Sequence, residues 1–261
     1  MRRFTAEYLE STREGMWDDS RDALANLSLK SRQCVLDVGA GTGELTRILR
    51  DETTGSVIAL DADNGLLEHI ASPRVQGDAT RLPFADDTFD LVVCQALLVN
   101  LSDPSTALEE FARVATESVA VIEPDNSAVS IDSTVKAEPR LAQRARELYL
   151  QGIETDAALG AVPELFEEAG FKRVKVRQYN HERSIESPYS ERALEGARRK
   201  ASGTDIDDDR ETILAGKEST ESFEQLREHW RSMGREVIQQ MQDGTYRQRE
   251  VVPFYVTSGD L

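Results

Sequence analysis

The chain has 261 residues, and the hydrophobic 39% of them is spread along its length, which excludes global disorder and allows one large buried core. Its formal charge is −17, from 48 acids against 31 bases, which disfavours a nucleic-acid backbone or an anionic membrane as partner. No apolar run approaches the roughly 20 residues that span a bilayer, and the basic start lacks the apolar stretch of a secretory signal, so a cytoplasmic protein is expected.

The acidity has a second reading. Six lysines stand against 25 arginines, and acids cluster in runs such as DIDDDRE (205–211). That resembles the composition of cytoplasmic proteins from extreme halophiles. In molar salt the screening length shrinks to about 3 Å, and the charge then says little about a partner. Cys34 and Cys94 each sit inside an apolar run and read as free, buried thiols. His69, His181 and His229 are scattered, so no metal site is expected.

In chain order, residues 5–28 carry apolar side chains at three- and four-residue spacing and read as helical. An alternation follows: strand 34–38, helix 43–51, strand 56–60, helix 64–71, a weak strand 74–78, strand 89–97, helix 105–115 and strand 118–124. Strand and helix alternating at this spacing predict a parallel sheet with helices on both faces, and the continuously apolar strands are those of a sheet buried on both sides. Beyond 125 the spacing predicts helices over 139–153 and 162–171, the latter ending at Gly170, then a half-exposed strand over 172–179. A polar, mostly helical stretch fills 185–243, and a last strand covers 249–259, with Pro253 suggesting an edge position or a bulge.

The first strand runs into Gly39-Ala40-Gly41-Thr42-Gly43. Three alternate glycines after a buried strand offer a backbone that a ligand can approach closely, at the head of a helix with its partial positive charge. A dinucleotide fits poorly. Its fingerprint wants a third glycine where Glu44 stands, and a carboxylate is ill placed beside a pyrophosphate. The acid two positions before the first glycine, Asp37, suits a ligand that carries a cation.

LDVGAGTG (36–43) resembles the first motif of class I S-adenosylmethionine-dependent methyltransferases. GDATRLPFADDTFDLVVCQALLVNL (77–101) is similar to the next motifs of their small-molecule branch, the methyltransferase type 11 group that includes quinone C-methylases. LFEEAGFKRVKV and the closing VVPFYVTSG fit the branch's last helix and strands, so the likeness covers roughly 30 to 180 plus the final strand. The resemblance implies a Rossmann-like α/β fold, a mostly parallel seven-stranded sheet with helices on both faces; the helical insertion before the last strand departs from that pattern. It implies S-adenosyl-L-methionine as cofactor and methyl transfer to a small-molecule acceptor by in-line displacement. The place after the fourth strand reads CQALLVNL, without the Asn/Asp-Pro-Pro-aromatic signature of exocyclic-amine methylases, which argues against a nucleic-acid substrate.

The implied cofactor residues are Asp37, Gly39, Ala40, Gly41 and Gly43 around the methionine end, Asp61 with Ala62 for the ribose, Asp78 and Ala79 for the adenine, and Gln95 for the methionine moiety. Asp61 lies 22 positions after Gly39, near the spacing at which an acid meets a ribose in related folds. Its rival role is a helix cap, shared with Asp63; that of Asp78 is a local turn. Trp17, Glu123, Asp125 and His181 are candidate acceptor contacts, and no general base is assigned. The expected organisation is 1–30 as N-terminal helices covering the cofactor site, 31–182 plus 246–261 as the core, and 183–245 as an insertion acting as lid or substrate cap. A catalytically silent cofactor-binding protein on the same fold is the alternative, and oligomeric state is left open.

Overall fold

The computed structural model describes residues 5–13, 15–18, 20–156, 158–216 and 218–261, so residues 1–4 of the N-terminal segment lie outside the described residues. The chain divides into two compact units. The first comprises Met1–Asp125, Leu159–Asn180 and Phe254–Leu261; the second comprises Asn126–Ala158 and His181–Pro253.

In the first unit, α1 (Ala6–Arg13) and a 3₁₀ turn (Arg21–Leu27) precede β1 (Cys34–Val38). The expected helical stretch 5–28 is thus two short pieces. There follow α2 (Glu44–Glu52), β2 (Ser56–Asp61), α3 (Asn64–Leu67), β3 (Arg74–Gln76), β4 (Phe89–Gln95), α4 (Pro104–Val114) and β5 (Ala115–Pro124). The strands stand in the order β3-β2-β1-β4-β5, all parallel. Continuous apolar runs make them: Val35, Leu36, Val38, Leu91, Val92, Val93 and Cys94 are fully buried. The helices cover them through spaced apolar faces, Leu45, Ile48 and Leu49 on α2, and Ala107, Leu108, Phe111 and Val114 on α4. Asp103 starts α4 by accepting from the Thr106 N–H at 3.1 Å, with Pro104 at the first helical position.

Three more elements belong here in whole or part: α6 (Pro163–Glu168), β7 (Lys172–Ile185) and β8 (Gln248–Asp260). The helix closes as the sequence predicts: Gly170 N–H bonds Glu167 O at 3.0 Å and Phe171 N–H bonds Phe166 O at 2.9 Å, with the two rings 4.8 Å apart. β8 runs antiparallel to β5, from Ser118↔Asp260 to Pro124↔Phe254, and β7 pairs with β8.

The second unit holds β6 (Ser130–Ser133), α5 (Glu138–Gly152), α7 (Glu191–Ser202), α8 (Thr204–Asp208), α9 (Arg210–Ala215) and α10 (Thr220–Gln242). The helical stretch before the last strand is therefore present as α7–α10. On α10, Phe223, Leu226, Trp230, Met233, Val237 and Met241 recur at helical spacing and enter a core with Leu141, Leu148 and Ile213. Buried Glu138 accepts from Tyr246 Oη at 2.9 Å, Ser133 Oγ at 2.6 Å and Gln248 Nε2 at 3.1 Å, and pairs with Lys200, so its desolvation is offset.

The sheet has eight strands rather than seven. The extra one, β6, has four residues and an alternating half-exposed pattern that composition does not announce. Pro253 lies outside both the β5–β8 and the β6–β8 ladders. It falls where β8 has left β6, whose last partner is Val251, and has not yet reached β5, whose first is Phe254. There the missing N–H costs no bond to either of those strands.

Candidate cofactor site

β1 is flanked by β2 on one side and β4 on the other, so the chain changes direction around it, and the crevice beyond its carboxyl end is where open α/β sheets hold ligands. A cavity of about 500 Å³ lies there, within the ~300–1,000 Å³ typical of ligand pockets. It is walled by Gly39 and Gly41, by Asp61, Ala62 and Asp63 after β2, by Gly77 and Ala79 after β3, by Leu97 and Asn100 after β4, and by Leu9 and Arg13 of α1.

The glycine turn has positive φ at Gly39, Gly41 and Gly43. The chain's own packing adds a second reason for glycine. A Cβ on Gly41 would stand 3.0 Å from Leu9 Cδ1 and 3.3 Å from Arg13 Nη1, and one on Gly39 would stand 2.9 Å from Leu97. The turn's N–H groups point at its own acceptors: Gly39 and Ala40 donate to Leu60 O at 2.7 and 2.9 Å, and Gly43 donates to Ala40 O at 2.9 Å. The cavity therefore meets bare Cα atoms at Gly39 and Gly41. Ala40 is buried with Ala59, Leu67 and Ile70, and Gly43 heads α2; neither lines the cavity.

Asp61 joins two turns. Its Oδ2 accepts from Gly41 N–H at 2.8 Å and its Oδ1 from Asp63 N–H at 2.9 Å. Each carboxylate oxygen has capacity for a further bond, and the side chain lines the cavity half-buried. The cap role falls to Asp63, which accepts from Gly65 N–H at 2.8 Å at the start of α3. Asp78 is exposed. Its Oδ1 accepts from both the Thr80 N–H at 2.9 Å and Thr80 Oγ1 at 2.8 Å, and these bonds hold it below the usual carboxylate range. Its neighbours Gly77 and Ala79, not its side chain, wall the cavity.

Asp37 is buried. Thr46 Oγ1 donates to its Oδ2 at 2.5 Å, while Oδ1 has no partner among the described residues. Burial pushes this carboxyl up to about 6. Gln95 is also buried, with Nε2 2.7 Å from Met16 Sδ and Oε1 accepting from Trp17 Nε1 at 3.4 Å. Trp17 is buried too, its ring 5.2 Å from that of Tyr179, which in turn stacks on Phe254 at 5.5 Å.

Glu123, a candidate acceptor contact, has another occupation. It accepts from the N–H groups of Leu97 at 3.1 Å, Leu98 at 2.8 Å and Val99 at 3.4 Å, and so holds the turn after β4. It is fully buried, and burial pushes it up to about 7 against the pull of those three donors. Asp125 is half-buried just beyond β5. His181 is buried on β7 and belongs to the second unit.

Sequence reasoning missed Arg13 and Leu97. No motif marks an arginine that ends an ordinary amphipathic helix, and Leu97 reads as strand core. Cys34 and Cys94 are free thiols; Cys94 is buried as expected, whereas Cys34, at the start of β1, is only half-buried. Among the described residues no group of three or more metal-ligating side chains gathers, and no helix is long and apolar enough to cross a membrane.

Comparisons with known proteins bear on this site. Residues 36–122 match a family model described as a methyltransferase domain. A demethylmenaquinone methyltransferase of Mycolicibacterium paratuberculosis is 44% identical over 91 residues, 34% of this chain and 39% of its own length. The chain thus spans about two fifths of that curated relative. One from Lactiplantibacillus plantarum is 29% identical over 187 residues, 61% of this chain and 79% of its own length. A crystal structure from Bacillus halodurans, of a protein assigned as a methyltransferase, superposes with a TM-score of 0.52, covering 93% of this chain and 98% of the other. At 16% identity that likeness speaks of the fold. Residues 36–122 thus resemble a methyltransferase domain, and the sheet that carries them has a Rossmann-like fold.

Proposed function

We propose that the protein transfers a methyl group from S-adenosylmethionine to a small-molecule acceptor by in-line displacement. The observation that carries this reading is Asp61, a half-buried carboxylate fixed by two backbone N–H groups and facing a cavity floored by bare glycines. The cofactor supplies a methyl group already activated on a sulfonium sulfur.

The chain supplies position. Asp61 has the spare acceptor capacity to take two vicinal ribose hydroxyls, with Ala62 beside it. Gly39 and Gly41 admit the ligand against the main chain, while Ala40, Gly43 and Gln95 support that turn and the ends of β1 and β4 from behind. The unpartnered Oδ1 of Asp37 is the kind of buried acceptor that an ammonium group satisfies. Ala79 offers a backbone edge to the adenine, and Asp78 joins it only by sharing the oxygens it gives to Thr80. Orientation alone can supply on the order of 7–11 kcal/mol of a barrier. Trp17 and Asp125 are proposed acceptor contacts, and Glu123 acts through the turn it holds. The relatives' substrate makes a demethylated quinone the first acceptor to try. The composition further suggests a cytoplasmic protein of a saline cell.

Titration calorimetry with S-adenosylhomocysteine tests the core of this. Asp61→Ala is expected to weaken binding at least tenfold, about 1.4 kcal/mol. An unchanged dissociation constant, or tighter binding of NAD than of the nucleoside, overturns it. A catalytically silent protein shares this binding: among the described residues the cavity wall carries no histidine, cysteine or glutamate, and its acids Asp61 and Asp63 are engaged by backbone N–H groups. Methyl transfer from labelled cofactor separates the two.

A further inference from the structure

Arg13 is 8% exposed, yet its guanidinium forms no hydrogen bond or ion pair among the described residues. Such a group is costly: a desolvated cation recovers only part of its lost hydration from carboxylates that do not touch it. Buried Arg32, by contrast, is matched. It reaches Leu27 O, Asp90 O, Glu117 and Ser118, all at 2.9 Å or less. Arg13 feels Asp37, Asp61, Glu123 and Glu44 as distant charges, and burial still lowers its proton affinity below that of a free guanidinium. It also lines the cavity, poised over Gly41.

On the cofactor reading above, we infer that Arg13 is the cavity's anion-binding residue and takes the carboxylate at the amino-acid end of the bound nucleoside. The guanidinium fork matches a carboxylate with two parallel N–H···O bonds. The unpartnered Oδ1 of Asp37, on the strand beneath the same glycine turn, has the opposite preference and suits the ammonium of the same zwitterion. A cation and an anion left unmatched by the protein thus correspond to the two charges of an α-amino acid. Helix α1 then takes part in choosing the ligand, in addition to covering it.

Two probes that differ at this end make the test: S-adenosylhomocysteine, which has the amino-acid group, and methylthioadenosine, which lacks it. Calorimetry on the wild type, Arg13→Met and Arg13→Lys reads both. Arg13→Met is expected to weaken S-adenosylhomocysteine at least tenfold and methylthioadenosine less than twofold. Arg13→Lys, which keeps the charge and loses the fork, is expected to fall between. Equal losses for both probes, or no loss for either, overturn the assignment, the first showing that Arg13 only supports the fold. Asp61→Ala weakens both probes if the cofactor reading holds. Wild-type protein that binds neither probe overturns that reading, and this inference with it.

Discussion

Glu123 shows how one side chain can look catalytic and serve the backbone. A carboxylate at the end of the fifth strand reads as a substrate contact, but three N–H groups converge on it and it is fully buried. Its folded value near 7 lies above the ordinary 4.5, so the fold holds the proton more tightly than the unfolded chain does. Its protonation therefore stabilises the fold fully below about 4.5, and that contribution is lost as pH rises through about 7. Thermal melts between pH 5 and 8 should show the wild type losing about 1–3 kcal/mol more than Glu123→Gln, since each tenfold difference in proton affinity is worth about 1.4 kcal/mol. Parallel pH profiles would refute the assignment. Buried Asp37, pushed up to about 6, adds a drift of the same sign in both proteins and cancels in the difference.

Between elements, close approach decides what composition leaves ambiguous. Gly234 sits in the middle of α10, where glycine costs about 1 kcal/mol relative to alanine. Propensity alone predicts that Gly234→Ala stabilises. A Cβ there would stand 2.3 Å from the backbone nitrogen of Ala201 on α7, so the two helices must separate to admit it. We expect Gly234→Ala to lower the melting temperature, by about 1–3 kcal/mol of overpacking, and a rise would show that α7 yields freely. The same contrast marks what could be read beforehand. Strands β1, β2, β4 and β5 were legible because burial on both faces demands unbroken apolar runs, and Gly170 because a helix end needs its geometry. β6, with four half-exposed residues, had no such constraint. In the site, Gly39, Gly41 and Asp61 were legible because a turn leaves its mark locally. Arg13 was not, because its importance comes from a neighbour 28 positions away, Gly41, that only folding provides.

For the molecule as a whole, two electrostatic effects oppose each other. A charge of −17 repels itself, whereas exposed pairs such as Arg21–Glu52 and Arg249–Glu182 attract. Each such pair contributes only about 0–1 kcal/mol, and the attraction is screened along with the repulsion. The excess of acids is the larger and longer-ranged term. Raising potassium chloride from about 0.1 M to 1 M shortens the screening length from about 10 to 3 Å, and the melting temperature should rise. A fall would mean that the pairs outweigh the net charge. Leu9 and Arg13 of helix α1 form a wall of the cavity. Any change that loosens that helix removes part of the wall, so ligand affinity reports on how α1 packs as well as on Asp61.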